Sequence, residues 1–171
     1  MKCRFAWLLF LLAAVQSGRG VESRAIPSPP VEGGYLKISF YWLSFFDYVR
    51  PLADAPPGPD GKPPTGEEQI PAAIKRWSGA KAEVTGYMVP TEFRDGKTTE
   101  FLLMANQMLC CYGTVPKVND WILVHLPGGT EVIQDRPITF RGRFHVGAVV
   151  TDGILTAVYG LEAEAPGKVA D

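Results

Sequence analysis

The chain has 171 residues, of which 46% are hydrophobic, and it carries 17 basic against 18 acidic side chains for a formal net charge of −1. Such a balance argues against a nucleic-acid partner, which would favour a basic stripe along the chain. The hydrophobic content is ordinary for a globular protein, and the length suits one compact domain after a leader is removed.

The first twenty residues have the layout of a secretory signal peptide. A basic start with Lys2 and Arg4 leads into an unbroken apolar stretch, residues 5–15, and then into small and polar residues. Eleven apolar residues are fewer than the ~20 that a membrane-spanning helix needs. We therefore expect residues 1–20 to be cleaved, leaving a periplasmic or otherwise extracytoplasmic protein that does not span the membrane. Cleavage after Gly20 removes three basic residues and no acid, which takes the net charge from −1 to −4.

Two contrasting segments precede the main domain. Residues 21–50 contain the aromatic stretch YLKISFYWLSFFDYV, which we expect to dock on the domain as a short strand or a helical turn. The alternative is an exposed surface that binds a partner. Residues 51–69 begin with PLADAPPGPDGKPPTG, which holds six prolines and three glycines. Neither a helix nor a sheet ladder runs through such a sequence, so we predict an exposed linker there.

The main domain is predicted for residues 70–164, with a tail at 165–171. Its first element is a short helix over IPAAIKRWSG, with Pro71 at the first helical position and Gly79 at the stop. The apolar face of this helix comprises Ile70, Ile74 and Trp77. Five strand-like segments then follow, at 82–89, 99–105, 121–126, 138–146 and 154–163.

The turns between these segments predict how the strands connect. Asp95-Gly96 joins the first two strands and Asp152-Gly153 the last two, since each pair supplies the positive φ of a tight hairpin. Pro127-Gly128-Gly129 is predicted to end the third strand. In the fourth strand apolar and polar residues alternate, so one face is buried and the other is wet. Together these patterns predict an all-β domain, a small five-stranded antiparallel barrel of the oligonucleotide/oligosaccharide-binding (OB-like) type, with a β-sandwich as the alternative.

Three blocks of the sequence resemble a known family. They are IPAAIKRWSGAKAEVTGYMVPTEF, TEFLLMANQMLCCYGTVPKVNDWI and FRGRFHVG, and the resemblance covers about residues 70–164. The family is a group of exported bacterial proteins identified only as domain-of-unknown-function family number thirty-two ninety-nine. It implies an extracytoplasmic domain with no established reaction. Other branches carry a Cys-Ile-His-x-Pro-Pro-Pro-Pro-Pro-Asn loop, whose cysteine matches Cys110 and whose asparagine matches Asn119, while Tyr112 stands at the histidine position.

The loop between the second and third strands carries the adjacent pair Cys110 and Cys111; the third cysteine, Cys3, lies in the leader. Thiolates and imidazoles bind zinc or cuprous copper, so the pair and a histidine form a candidate metal site. We expect His145 at the level of this cysteine loop, whereas His125 would lie ~13 Å up the third strand. The open alternatives are a strained disulfide ring, acting as a staple or in thiol/disulfide exchange, and two buried thiols that act as apolar groups.

Tyr112, Asn119 and Glu92 complete the candidate ligand contacts. Asn119 also suits a cap on the turn into the third strand, and Glu92 and Glu100 flank a hairpin, where two acids are usually solvated rather than catalytic. The sequence contains no nucleophile elbow, phosphate-cradling glycine loop or His-Glu-x-x-His helix. It therefore favours a non-enzymatic binding or accessory module for an envelope protein or transporter, with zinc or copper as candidate cofactor. The main alternatives are a redox protein that uses the cysteine pair and a structural partner of a membrane transport or assembly complex.

Overall fold

The computed structural model describes residues 26–52, 55–59, 61–107 and 115–170. The strands within these ranges are β1 (Val31–Glu32), β2 (Tyr35–Ile38), β3 (Lys81–Pro90), β4 (Lys97–Met104), β5 (Trp121–Glu131), β6 (Ile138–Thr151), β7 (Ile154–Ala163) and β8 (Lys168–Val169). The helices are α1 (Phe40–Leu43), α2 (Ala72–Lys75) and one 3-10 helix (Glu67–Gln69). None of the helices in the described ranges is long and apolar enough to cross a membrane.

The five long strands close into a barrel. Their order is β3-β4-β5-β7-β6, and β6 pairs back onto β3. All neighbours are antiparallel except β5 and β7, which run parallel. β3 makes closure possible because its first half pairs with β6 and its second half with β4. The predicted all-β five-stranded barrel is therefore confirmed, and the β-sandwich is not formed.

Gly86 lies where β3 leaves β6 for β4. A Cβ on this residue would lie 2.6 Å from the carbonyl oxygen of Met104 and 2.9 Å from the ring of Phe40. A side chain does not fit at such a separation, so glycine allows the backbones to approach where the barrel bends.

β6 shows how the pattern of side chains builds the core. Burial along the strand follows a period of two from Ile138 to Val146, with Phe140 and Phe144 buried and Arg143 and His145 exposed. The predicted alternation is confirmed. One consequence is that every charged or titratable side chain of this stretch lies on the outer face of the barrel.

The two predicted hairpin turns are confirmed. Both residues of Asp95-Gly96 have positive φ, at 50° and 79°, and so do both residues of Asp152-Gly153, at 51° and 78°. These values are typical of the two-residue turns whose twist matches that of the flanking strands.

The predicted end of the third barrel strand is wrong. β5 continues through Pro127-Gly128-Gly129 to Glu131. Glu100 of β4 pairs with His125 of β5, and the next pair of the ladder is Thr98 with Thr130. The same stretch of ladder therefore uses more residues of β5 than of β4. The extra residues of β5 bulge out of the ladder at the Pro-Gly-Gly segment, so the strand is interrupted there without ending.

The N-terminal segment and α2 complete the core. β2 pairs in parallel with the first half of β3, and α1 buries Phe40 and Leu43, which are 7% and 0% exposed. α2 contributes Ile74 to the core, and Trp77, two residues beyond the end of α2, completes the predicted apolar face. Pro71 caps this helix and is not its first residue. The aromatic segment thus docks on the barrel with one of its faces.

Candidate functional site

The two ends of the cysteine loop lie beside the aromatic N-terminal segment. Ala105, which directly follows β4, lines a cleft together with Phe40 and Tyr41. At the other end of the loop, the ammonium group of Lys117 pairs with the carboxylate of Asp47. The structure therefore places the ends of the cysteine loop next to the aromatic segment, two regions that the sequence predicts separately as contact surfaces.

Asn119 fastens the second end of the cysteine loop to the same segment. Its side chain is fully buried, and Nδ2 donates hydrogen bonds to the carbonyl oxygens of Phe46 at 3.0 Å and Leu43 at 3.4 Å. The Leu43 carbonyl also accepts a hydrogen bond from the Tyr159 hydroxyl at 2.9 Å. Within the described part of the chain, Oδ1 of Asn119 is buried without a hydrogen-bond partner. The predicted ligand contact of Asn119 stays a prediction, and in the structure its buried side chain bonds the aromatic segment.

Two buried tyrosines hold the N-terminal segment as hydrogen-bond donors. Burial raises the pKa of Tyr48 to about 12, and burial also raises the pKa of Tyr159 far above its ordinary value. The Tyr48 hydroxyl donates to the Thr65 carbonyl. Since both phenols stay protonated, they are unsuited to act as general bases.

The outward face of the same segment presents three aromatic rings, which we call the aromatic cluster: Tyr41, Trp42 and Phe45. Tyr41 is 63% exposed and Phe45 is 37% exposed, while Trp42 is partly buried against the core. Ring centroids are 4.7 Å apart between Tyr41 and Trp42 and 5.9 Å apart between Trp42 and Phe45. The three rings therefore contact one another and still leave apolar surface in solvent. The segment can dock on the barrel with one face and offer a binding surface on the other.

His145 lies on the outer face of β6 near the end of the barrel that carries the cysteine loop. It pairs with Gly160 of β7, and Gly160 pairs in turn with Leu123 of β5. Leu123 is two residues beyond Trp121, where β5 begins after the cysteine loop. His145 is therefore close to the level of the loop along the strands. Around the barrel it lies two strands away from β5, which is ~10 Å at ~4.8 Å per strand.

Glu67 is brought next to His145, a proximity that the sequence did not predict. Its Oε1 accepts a hydrogen bond from the backbone N–H of Ala148 at 2.6 Å. A Cβ on Gly147, whose φ is +149°, would lie 3.1 Å from Nε2 of His145 and 3.3 Å from Oε1 of Glu67.

His125 lies in a different environment on the outer face of β5. It is in register with Glu100 of β4 and with Glu162 of β7, and its Nδ1 lies 2.9 Å from Oε2 of Glu162. The two side chains are 48% and 67% exposed, so solvent screens their interaction. Within the described ranges, no three side chains among His, Cys, Asp and Glu form a group that would hold a metal ion by themselves.

The remaining predicted contacts are far apart or outside the described residues. Glu92 is exposed beside the β3–β4 hairpin, where its Oε2 lies 3.8 Å from Nη2 of Arg94. This hairpin is at the opposite end of β3 from the register position of His145. Cys110, Cys111 and Tyr112 belong to residues 108–114, which lie outside the described residues.

Comparison with known proteins gives a family and a fold. The model of a family described as "Protein of unknown function (DUF3299)" matches residues 64–166, which confirms the resemblance seen in the sequence. A solved structure, that of a DUF3299 family protein from Pseudomonas aeruginosa PAO1, is similar with a TM-score of 0.54 and 24% sequence identity, covering 81% of this chain and 98% of that chain. At this identity the likeness concerns the fold. No curated protein matches the chain.

Proposed function

The chain belongs to the DUF3299 family, and on this premise we propose that it is a non-enzymatic binding or accessory module that acts outside the cytoplasm on an envelope protein or transporter. The observation that carries the proposal is the position of the aromatic N-terminal segment, which carries the aromatic cluster and lies beside both ends of the cysteine loop. The leader-like residues 1–20 support the extracytoplasmic location.

The aromatic cluster has the chemistry of a protein contact surface. Aromatic side chains are enriched at the centres of interfaces, where Trp and Tyr often contribute most of the binding energy. The apolar surface continues along the chain to Val49 and Leu52, which are 70% and 75% exposed. The Lys117–Asp47 ion pair supplies a polar neighbour, with its lysine and aspartate side chains 47% and 90% exposed. An apolar centre with a charged margin favours docking of a protein over turnover of a small substrate.

Site-specific photocrosslinking tests the docking surface. A photoreactive amino acid at Phe45 probes the aromatic cluster, and one at Phe93 is the matched control, because Phe93 is 62% exposed in the hairpin at the far end of β3. In cells that export the protein, position 45 is expected to capture one envelope protein that position 93 does not capture. Equal capture from both positions, or none from position 45, would contradict the proposal.

Zinc or copper binding through Cys110, Cys111 and His145 is the second candidate function. The strand register favours it, because His145 is exposed close to the level of the cysteine loop. Thiolate and imidazole donors suit both metals. Thiol/disulfide exchange by the cysteine pair is the alternative chemistry for the same loop.

A native mass spectrum of the protein isolated from its export compartment separates these two chemistries. Metal binding predicts an added metal mass that disappears on denaturation and is absent from the Cys110→Ser and Cys111→Ser variants. Redox exchange predicts a metal-free mass short by two hydrogens and a trapped mixed disulfide with a partner. A metal-free protein with both thiols free would contradict both.

A further inference from the structure

We propose that two copies of this chain bind each other, with the proline loop of one copy packed on the aromatic cluster of the second. The proline loop is residues 50–64, of which 53, 54 and 60 lie outside the described residues. This dimer rests on the proposed function, in which the aromatic cluster is a contact surface, and it adds a second copy of the chain as a partner of that surface.

The two ends of the proline loop are fastened to each other. The side chain of Gln69 binds the backbone of Val49 twice, because Oε1 accepts from the N–H and Nε2 donates to the carbonyl, each at 2.9 Å. Beside this bridge, the hydroxyl of the buried Tyr48 donates to the carbonyl of Thr65. Gly66 permits the contact, since a Cβ there would lie 2.9 Å from the Tyr48 hydroxyl oxygen. The loop therefore has a closed base.

The tip of the proline loop is closed by a turn. The Gly61 N–H donates to the Gly58 carbonyl and the Gly58 N–H donates to the Lys62 carbonyl, both at 2.9 Å. Five prolines between the base and the tip are exposed: Pro56, Pro57, Pro59, Pro63 and Pro64. Because proline has no N–H, these positions offer apolar rings and carbonyl acceptors. Proline also fixes φ, so the loop loses little conformational freedom when it binds.

The aromatic cluster has the complementary hydrogen-bonding character. In the described part of the chain, the Tyr41 hydroxyl and Nε1 of Trp42 make no hydrogen bond and are not buried. By contrast, Nε1 of Trp121 donates to the Thr156 carbonyl at 2.9 Å. Aromatic rings that line a surface are what proline-rich segments bind. The cluster thus supplies rings and donors, and the proline loop supplies rings and acceptors.

The folded chain leaves both surfaces uncovered. The five prolines and the Tyr41 ring are exposed in the same molecule, so the loop does not cover the cluster of its own chain. Arg50, where the loop begins, is five residues after Phe45 and therefore lies within ~18 Å of it. A two-fold axis between neighbouring surfaces lets each copy give its loop and receive the loop of the other. Such a dimer contains the contact twice and is closed.

Sedimentation equilibrium of the protein isolated from its export compartment tests the dimer. The unmodified chain is expected to form a dimer in a concentration-dependent way. Tyr41→Ser removes a ring and a donor of the cluster, and the double variant Pro56→Ser/Pro57→Ser removes two rings of the loop. Each is expected to weaken the dimer by at least about tenfold, since loss of a residue at the centre of an interface costs a factor of this size.

Phe93→Ser and Pro166→Ser are the matched controls. Phe93 is 62% exposed, against 63% for Tyr41, and Pro166 is an exposed proline outside the loop. Each control is expected to leave the Kd of the dimer within about twofold, as a surface substitution away from the contact does. Equal weakening by the variants and by their controls would overturn the dimer.

Mixing the two variants decides whether the surfaces meet each other. Neither variant alone retains an intact contact, since each lacks one half of it. A mixed dimer pairs the intact loop of the Tyr41→Ser copy with the intact cluster of the proline variant, so the equimolar mixture is expected to associate more tightly than either variant alone. The dimer is overturned by a mixture that associates no better than its components, or by an unmodified chain that is a monomer at about 1 mM.

A photoreactive amino acid at Phe45 distinguishes the dimer from docking of an envelope protein. In the purified protein it is expected to attach to residues 55–64 of a second copy, and attachment to a different segment would overturn the pairing of cluster and loop. If the purified chain is a monomer while position 45 captures an envelope protein in cells, the dimer is overturned and the proposed function stands. If position 45 captures only a second copy in both settings, the dimer stands and the proposed function is overturned.

Discussion

Nδ2 of Asn119 lies 3.0 Å from the carbonyl oxygen of Phe46, and this hydrogen bond joins the end of the cysteine loop to the aromatic segment 73 residues earlier in the chain. The same amide reaches the Leu43 carbonyl at 3.4 Å. The bond to Leu43 is buried and the bond to Phe46 is partly buried, so water does not fully replace them if the side chain is lost. Asn119 is therefore one of the side chains that fix the aromatic segment relative to the end of the loop, together with Tyr159 and Lys117.

Asn119→Ala is expected to destabilise the fold. The Phe46 carbonyl loses its partner, and an unpaired buried polar group costs about 1–3 kcal/mol. Urea denaturation measures the change in the free energy of unfolding. Tyr159→Phe is the comparison variant, because it removes the other donor to the Leu43 carbonyl. An Asn119→Ala variant that unfolds at the same urea concentration as the unmodified chain would show that the amide does not hold the segment.

Gly86→Ala is expected to strain the bend at which β3 changes partners. The new Cβ would lie 2.6 Å from a backbone oxygen of Met104, which is not the flexible end of a side chain. Overpacking of this kind costs typically about 1–3 kcal/mol. Gly128→Ala is the matched control, since that glycine has no atom within 4 Å of the new Cβ and its φ is not positive. Equal loss of thermal stability in both variants would contradict the explanation.

The tight turns, the strand alternation and the barrel could be predicted from the sequence, whereas the places where a strand bulges or continues through the ladder could not. Asp95-Gly96 and the alternation of β6 act within a few residues, so their structures follow from local rules. The Pro-Gly-Gly segment carries an equally strong local signal, which predicts the end of a strand, but the ladder between β4 and β5 resumes beyond the bulge. Pairing across the barrel decides that outcome, and a segment by itself does not contain it.

The candidate site divides in the same way. The alternation of β6 predicted that His145 is on the wet face, and strand order predicted that it is near the level of the cysteine loop. Glu67 had no signal, because it follows a proline-rich stretch and approaches His145 only through the 3-10 helix and the bulge at Gly147. Nothing local in the sequence at position 67 differs from an ordinary solvated acid.

Stability is expected to fall in acid partly through Glu83. Hydrogen bonding to Lys37 and, to a smaller extent, to Arg141 holds its pKa below the ordinary value. A carboxylate whose pKa is lowered by folding stabilises the protein above its unfolded-state pKa, and this contribution is lost as the pH falls through the lower folded-state value. Glu83→Gln is therefore expected to be less stable than the unmodified chain at pH 7.

The difference in unfolding free energy between these two proteins is expected to shrink as the pH drops below about 4.3, the ordinary pKa of glutamate. Denaturation at a series of pH values measures it. Glu92→Gln is the control, because Glu92 is 60% exposed and has one ion pair at 3.8 Å, with Arg94. A difference for Glu83→Gln that stays constant down to the acid range would contradict the linkage.

Tyr41 and Leu43 are two residues apart in α1. Variants at these positions distinguish an effect on partner docking from an effect on folding. Leu43 is 0% exposed and Tyr41 is 63% exposed. Leu43→Ala removes buried methyl groups and is expected to lower the free energy of unfolding by about 2–5 kcal/mol. Tyr41→Ser removes a ring that lies mostly in solvent and is expected to change the free energy of unfolding by less than about 1 kcal/mol.

Crosslinking from position 45 tests whether Tyr41 contributes to binding of the partner. Tyr41→Ser is expected to reduce crosslinking from position 45, because it removes part of the apolar contact surface while the barrel stays folded. Thermal unfolding and crosslinking are therefore measured on the same preparations. If Tyr41→Ser destabilises the fold as much as Leu43→Ala, the exposed ring contributes to the core. If Tyr41→Ser leaves both stability and capture unchanged, the aromatic cluster is not the surface that the partner contacts.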